Sequence, residues 1–516
     1  MPLTALASSA SAVLLDLAEV TFRRPHVDWH ALAPELTLLS VGALLTLLDI
    51  FYTERVRPLM PALAGLGVLA ALVPVLTLAT SGDLPREALG SAYVVDEFSL
   101  VLKALFLLAG YVVVLLSTNY IAEGDYWENE YYGMLLSSLL GMVVMSSARD
   151  LVTVFVALEL LSIPAYMLAA WRKRDVLSNE AGLKYYLMGV FASAVMLYGM
   201  SLLYGVTGST LLVDMARHQA IRSSATDPIV TLAIVFVIVG FAFKVSAVPF
   251  HTWAPDTYEG APTPVTAFLS TASKAAGFVA LVQLIVVGFH DRADVYQPLM
   301  WVLSVASMTV GNLIALRQTN VVRLMAYSGI AQAGFMMAPL AVVGSADAAP
   351  GAVSATVTYL LIYAAMNLGA FAVIIAVARR TRSAEIDSYA GLIEWAPGLA
   401  VMMSIFLFAL AGIPPLGGWF AKFQIFFSVV SAGTWQSYVL GVLIGINSVI
   451  ALFYYAKIAR MMWMEPSPAS GTPLRLPPSL NAALGICTVA TILFGVLPQV
   501  VGRFGDMAGR LALLGV

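Results

Sequence analysis

The sequence predicts an all-α polytopic membrane protein: about fourteen transmembrane helices, with two inverted five-helix repeats that each contain a broken helix. Three observations predict it. Hydrophobic residues make up 60% of the 516 residues and charged residues only 11%, against about 25% charged in a soluble protein. Apolar runs of about twenty residues, the length that crosses hydrocarbon as a helix, recur along the whole chain. Two of these runs, one per half, are broken: the first at Pro249, the second at Pro414–Pro415 and Gly417–Gly418. A broken backbone loses hydrogen bonds that hydrocarbon cannot replace, so such breaks survive only where protein or water surrounds them.

Taken in order, the first eight spans are expected near 31–52, 58–80, 97–119, 130–147, 150–171, 179–206, 228–248 and 262–289. The second group is expected near 297–316, 321–343, 352–379, 397–430 (broken), 436–463 and 480–501. Spans four to eight and nine to thirteen are matching sets of five, and the fourth span of each is broken by proline. An odd number of spans forces the second set to insert upside down, which commonly places a site near mid-membrane between the halves. The chain therefore divides into 1–129 (an N-terminal segment and three helices), 130–290 (first repeat), 297–463 (second repeat) and 464–516 (last helix and tail).

An even count puts both ends on one side, and basic residues choose that side as the outer, periplasmic one. Inner loops then hold Arg55, Arg57, Arg172, Lys173, Arg174, Arg317, Arg323, Arg379, Arg380, Arg382, Arg460 and Arg475. Outer loops hold Arg86, Arg149, Arg217, Arg222 and Arg292, and the terminal segments add Arg23, Arg24, Arg503 and Arg510. The inner 120–130 loop is acidic, with Glu123, Asp125, Glu128 and Glu130, but acids weigh little in this rule. The first 30 residues lack a basic start before their apolar part and read as a short outer-side or interfacial segment, not a signal peptide.

Several function classes are excluded. Cys487 is the single cysteine, so thiolate-held iron–sulfur clusters and structural zinc, which need several thiolates, are ruled out within the chain. The five histidines show no metal spacing, and there is no phosphate loop, nucleophile elbow or dinucleotide fingerprint. No basic run suggests nucleic acid.

The lysines carry the chemistry. The twenty arginines fall in connections, tails or helix ends, whereas six of seven lysines fall within spans: Lys103, Lys184, Lys244, Lys274, Lys422 and Lys457. Arginine stays protonated, whereas a buried lysine can lose its proton. Lys244, Lys274 and Lys422 adjoin a break or sit mid-span and read as proton carriers; Lys103 and Lys457, near helix ends, read as snorkelling residues. Lys184, a few residues inside its helix, stands between the two readings. Glu159 is the one acid well inside a span and is the expected counter-ion of Lys244. His251, beside Pro249, reads equally as a relay or as a tie for the broken backbone. Tyr185, Tyr186 and Tyr198 read as packing or interfacial residues, and the other acids near spans, Glu35 among them, as span ends.

On these residues the chain resembles the subunit N family of bacterial proton-pumping NADH:quinone oxidoreductase, respiratory complex I. The segment NEAGLKYYLMGVFASAVMLYGMSLLYGVTGST at 179–210 resembles that family's sixth helix and its exit. KVSAVPFHTWAPDTYEGAPTPVTAFLSTASKAAGF at 244–278 resembles its broken seventh and its eighth helix, and AGIPPLGGWFAKF at 411–423 its broken twelfth. The 244–278 pattern is shared with related antiporter-like subunits; the 179–210 pattern is more specific. The resemblance implies roles in proton translocation for Glu159, Lys184, Lys244, Lys274 and Lys422. It implies no cofactor in this chain, with FMN, iron–sulfur clusters and quinone in partner subunits. It also implies a setting among other membrane-arm subunits in the plasma membrane. The chain departs from the pattern in about 25 extra residues at its amino end.

The expected mechanism passes protons from one half-channel along Lys244, Lys274 and Lys422 to the other, with Lys184 modulating the first step. Opening and closing a Glu159–Lys244 pair would reset the lysine's affinity for its proton. Moving one charge against 100 mV costs about 2.3 kcal/mol, and a change of about 2 in pKa supplies a similar amount. Two alternatives stay open: a subunit of a multisubunit cation/proton antiporter, and a membrane-arm scaffold that moves no protons.

Overall fold

The computed structural model describes residues 27–124, 128–222, 228–344, 348–467 and 475–513. Residues 1–26, including Arg23 and Arg24, and Asp125 of the acidic loop lie outside the described residues. The described chain is a helical bundle. It opens with α1 (Ala33–Val56), α2 (Met60–Thr80), α3 (Glu97–Ala122), α4 (Glu128–Ser147), α5 (Leu151–Ala169) and α6 (Val176–Thr207). There follow α7 (Pro228–Lys244), the short α8 (Trp253–Gly260), α9 (Thr263–Gly288), α10 (Ala293–Ala315), α11 (Val321–Met337) and α12 (Ala349–Thr381). The last are α13 (Pro397–Ala411), α14 (Gly417–Val430), α15 (Trp435–Met464), α16 (Pro478–Val496) and α17 (Pro498–Gly509). A two-stranded antiparallel hairpin, β1 (Arg86–Ala88) and β2 (Tyr93–Val95), closes the α2–α3 connection.

Among the described residues, 11 helices are long and apolar enough to cross a membrane. They coincide one for one with eleven of the expected spans. The other three, 130–147, 228–248 and 397–430, fall on α4, α7 and the α13–α14 pair. α4 opens on Glu128, Asn129 and Glu130, which dilute its apolar run. The other two are shortened by the breaks themselves. The span expected at 480–501 ends at Val496, where Pro498 starts the separate α17.

The start signals are local. Asp96, Asp150, Asp175, Asn320 and Thr434 each cap a helix by accepting a hydrogen bond from a backbone N–H of its first turn, satisfying donors that the helix itself cannot. Burial then sorts the helices. α9 is wholly enclosed, and α11 and α12 nearly so, whereas α1 and α16 present most of their surface outward. Cys487 of α16 is nonetheless buried, 2% exposed.

One closing motif occurs twice. Asp150, ahead of α5, bridges Leu211, beyond α6, and Asn320, ahead of α11, bridges Glu385, beyond α12. Both α6 and α12 end on a left-handed residue, Gly208 and Arg382. Just before each, a threonine hydroxyl, of Thr207 or Thr381, donates to a carbonyl one turn back. The first copy adjoins Arg149, whose guanidinium meets Asp96 at 2.6 Å at the start of α3. The second follows Arg379, which meets Glu123 at 2.6 Å at the end of α3. The two copies therefore lie at opposite ends of a helix about 39 Å long.

Candidate functional site

Each broken helix brings a lysine to a helix C-terminus, where unpaired carbonyls and the dipole favour a cation. In the first, α7 ends at Lys244 and the chain is non-helical to Thr252. Groups from other helices satisfy the interrupted backbone. The Ser307 hydroxyl of α10 accepts from the Val248 N–H at 2.9 Å, and the Trp253 indole donates to the Phe243 carbonyl at 3.1 Å. Lys244 is buried, and its ammonium donates to the Ser162 hydroxyl at 2.8 Å and the Tyr185 hydroxyl at 3.2 Å.

In the second break, Lys422 on α14 reaches back to the end of α13 and donates to the Ala411 carbonyl at 2.8 Å. It lies 4.8 Å from the centre of the Phe335 ring, a cation–π distance. Gly412 makes this possible. Its φ is +92°, and a Cβ there would stand 2.8 Å from the Lys422 side chain. Lys274 lies between the breaks, just after the π turn Leu269–Ser273 of α9. Its ammonium donates to the Gly329 carbonyl of α11 at 2.7 Å. A Cβ at Gly329 would crowd both that ammonium and the Tyr363 hydroxyl.

The three ammoniums are thus buried and held by neutral hydroxyls and carbonyls, with no carboxylate within ion-pair distance among the described residues. Glu159 does not pair directly with Lys244, contrary to expectation. Its carboxylate is half-buried between α5 and α6 and accepts from Ser193 at 2.6 Å, while Ser162, three residues on along α5, takes the lysine.

Lys184 is not in this row. α6 begins earlier than expected, at Val176, so Lys184 lies well inside the helix but on its outward face, 42% exposed. It pairs with Glu180 and Asp256, each at 2.6 Å. Asp256 also meets Arg323 at 2.9 Å, and Arg323 meets Glu259 at 2.6 Å. This charge cluster ties α6, α8 and α11 together at one end of the bundle. His251 is half-buried in the first break, in the turn that follows Pro249. Lys457 is exposed on α15, as snorkelling requires.

Some participants were not foreseen. Tyr185, expected to pack, is fully buried, stacked on Trp253 with ring centres 4.5 Å apart, and bonded to Lys244. Between Lys274 and Lys422 runs a buried polar chain. Ser328, next to Gly329, bonds the Tyr455 hydroxyl. Gln332 donates to Tyr455 at 3.3 Å and to the Leu410 carbonyl at 3.1 Å, and accepts from Tyr359. Leu410 precedes Ala411, the acceptor of Lys422. No sequence signal distinguishes these residues from ordinary helix-packing polar groups; only their convergence does. Lys103 departs further from expectation: it is fully buried and ion-paired with Glu35 at 2.9 Å. Among the described residues, no group of three or more His, Cys, Asp or Glu could hold a metal ion.

Two interrupted helices, each delivering a buried lysine to a polar row, define a membrane module of the antiporter-like class. The chain belongs to the NADH:quinone oxidoreductase/Mrp antiporter transmembrane family, whose model matches residues 148–448, and within it to the subunit N family of NADH-quinone oxidoreductase. Subunit N of Trichlorobacter lovleyi is 35% identical over 94% of this chain and 98% of its own. That of Desulfovibrio desulfuricans is 39% identical over 92% and 95%. Among solved structures, a chain of respiratory complex I from Thermus thermophilus with bound aureothin is 31% identical and covers 91% of this chain and 98% of its own, with a TM-score of 0.74. A chain of the Mrp complex from Dietzia sp. shares the fold at 21% identity and a TM-score of 0.79, covering 93% of this chain and 96% of its own.

Proposed function

We propose that this chain is a proton-translocating membrane-arm subunit of NADH:quinone oxidoreductase, in which protons cross along Lys244, Lys274 and Lys422. Quinone reduction in other subunits, which would hold the FMN, iron–sulfur clusters and quinone, supplies the energy. The observation that carries the reading is three buried ammoniums with no carboxylate partner among the described residues. Burying an unpaired cation costs several kcal/mol, and losing its proton removes that cost. Ser328, Gln332, Tyr359 and Tyr455 would link the second carrier to the third. Glu159, one turn from Ser162, acts on Lys244 through space. Lys184 acts from the flank through the Asp256–Arg323 cluster, which joins the first break to α11.

In this reading the chain crosses the plasma membrane fourteen times, with 130–290 and 297–463 as inverted repeats and both ends outside. The two closing motifs at opposite ends of α3 support the inversion. The test is purification from native membrane in mild detergent, with identification of the co-purifying chains and an NADH:quinone assay. Flavin and iron–sulfur subunits with NADH oxidation are expected. Co-purification only with small hydrophobic antiporter subunits, with sodium dependence, would transfer the chain to the cation/proton antiporter reading. Relatives 35% and 39% identical that are named subunit N favour the first outcome.

A further inference from the structure

The three amino-terminal helices contain a buried ionisable cluster that the lysine row does not use. Glu35 in the first turn of α1, Tyr93 on β2 and Lys103 in the second turn of α3 form a closed triangle. The Lys103 ammonium lies 2.9 Å from Glu35 Oε1 and donates to the Tyr93 hydroxyl at 2.7 Å, and that hydroxyl donates to the same Oε1 at 2.5 Å. Lys103 is 0% exposed and Glu35 7%. The facing charges are the neighbouring Asp96–Arg149 pair, at 2.6 Å, from the start of α3 and the turn before α5.

Two features separate this cluster from a mere tie between helices. The second carboxylate oxygen, Glu35 Oε2, is buried and has no hydrogen-bond partner among the described residues. A buried pair kept only for stability is commonly replaceable by apolar side chains at little cost or with gain, so an incompletely bonded one is poorly explained as a fastener. The cluster also sits near the surface. Tyr93 belongs to the hairpin, whose Glu87 faces outward and bonds Ser91, so the triangle lies behind the hairpin at that end of the bundle. Inward, the Arg149 turn adjoins Ser146, whose carbonyl accepts from Gln283 of α9 at 2.9 Å. Gln283 and Lys274 share α9, nine residues or about 13.5 Å apart.

We propose that Glu35, Tyr93 and Lys103 form a further proton-exchange site, set behind the β1–β2 hairpin at one end of the bundle. The exchange is internally balanced. An N–H bond of the Lys103 ammonium breaks and an O–H bond forms at Tyr93 while the original Tyr93 O–H passes to Glu35 Oε1. The lysine becomes a neutral amine, the glutamate a neutral acid, and the tyrosine is unchanged. The buried pair thereby changes between charged and neutral without leaving its place. This rests on the proton-translocating reading above.

The test uses the assembled complex in sealed vesicles, measuring NADH turnover and proton uptake with a pH-sensitive dye. Lys103→Arg keeps the charge but cannot release its proton; Tyr93→Phe removes the bridge and keeps the pair. Both are expected to lower proton uptake per NADH by at least about twofold in assembled complex. Wild-type uptake in either variant, or in the uncharged, non-titratable double replacement Glu35→Gln/Lys103→Met, overturns the proposal and leaves a structural pair. Where Lys103→Arg fails to assemble, Tyr93→Phe decides alone. Lys244→Met runs in parallel: lost uptake there with normal uptake in Tyr93→Phe overturns this site only, whereas normal uptake in both overturns the translocation reading.

Discussion

A single ammonium can be held in place by what its neighbours lack. Gly412 has no side chain, and the Lys422 methylenes occupy the space a Cβ would take. Gly412→Ala combines a left-handed alanine, costing roughly 1–2 kcal/mol, with displacement of the lysine. It is expected to lower the thermal midpoint of the purified complex and to reduce proton uptake; an unchanged midpoint and uptake would refute the account. Tyr185→Phe is milder: Lys244 keeps Ser162, stacking on Trp253 survives, and a loss of about 0.5–1.5 kcal/mol is expected. Denaturation of the purified complex checks the size. Lys244→Ala is expected to leave assembly intact while cutting coupled proton uptake about tenfold, roughly 1.4 kcal/mol. The three buried lysines were legible because lysine inside an apolar run is costly wherever it stands. Their partners were not: Ser162, Tyr185 and Gly329 become ligands only when α5, α6 and α11 pack, and the outward face of Lys184 is likewise set by how α6 packs.

At the scale of the element, a break persists because other helices complete its hydrogen bonds. Ser307 on α10 serves the Val248 N–H, 59 residues away in sequence. Ser307→Ala leaves that part-buried donor without its partner, and a destabilisation of about 1 kcal/mol is expected, read as a lower thermal midpoint without loss of helix content. Both breaks were visible in the sequence from proline and glycine alone. The short α8 between them was not, since Pro255 and Asp256 read as loop but suit a first helical turn. Glu35 and Lys103 were misread for a related reason: a position near a helix end implies exposure only when nothing covers it, and the hairpin covers both.

At the scale of the molecule, the Lys184–Asp256–Arg323–Glu259 cluster joins α6, α8 and α11 with partly exposed side chains. Exposed pairs contribute about 0.2–1 kcal/mol each, so Asp256→Asn is expected to shift stability only slightly. If the cluster couples the first break to the rest, the same variant lowers proton uptake; unchanged uptake would reduce it to a surface tie. Eleven spans were placed from apolar runs alone. The paired closing motif was out of reach, because Asp150–Leu211 and Asn320–Glu385 share a geometry and not a sequence. The buried Cys487 gives the molecule a last practical property. With its one thiol shielded inside α16, the wild-type chain is already a near-silent background for single-cysteine labelling. Reporters at the hairpin tip and beside Arg323, exposed to a membrane-impermeant maleimide, would react from opposite sides of an intact vesicle if the two halves are threaded in opposite senses.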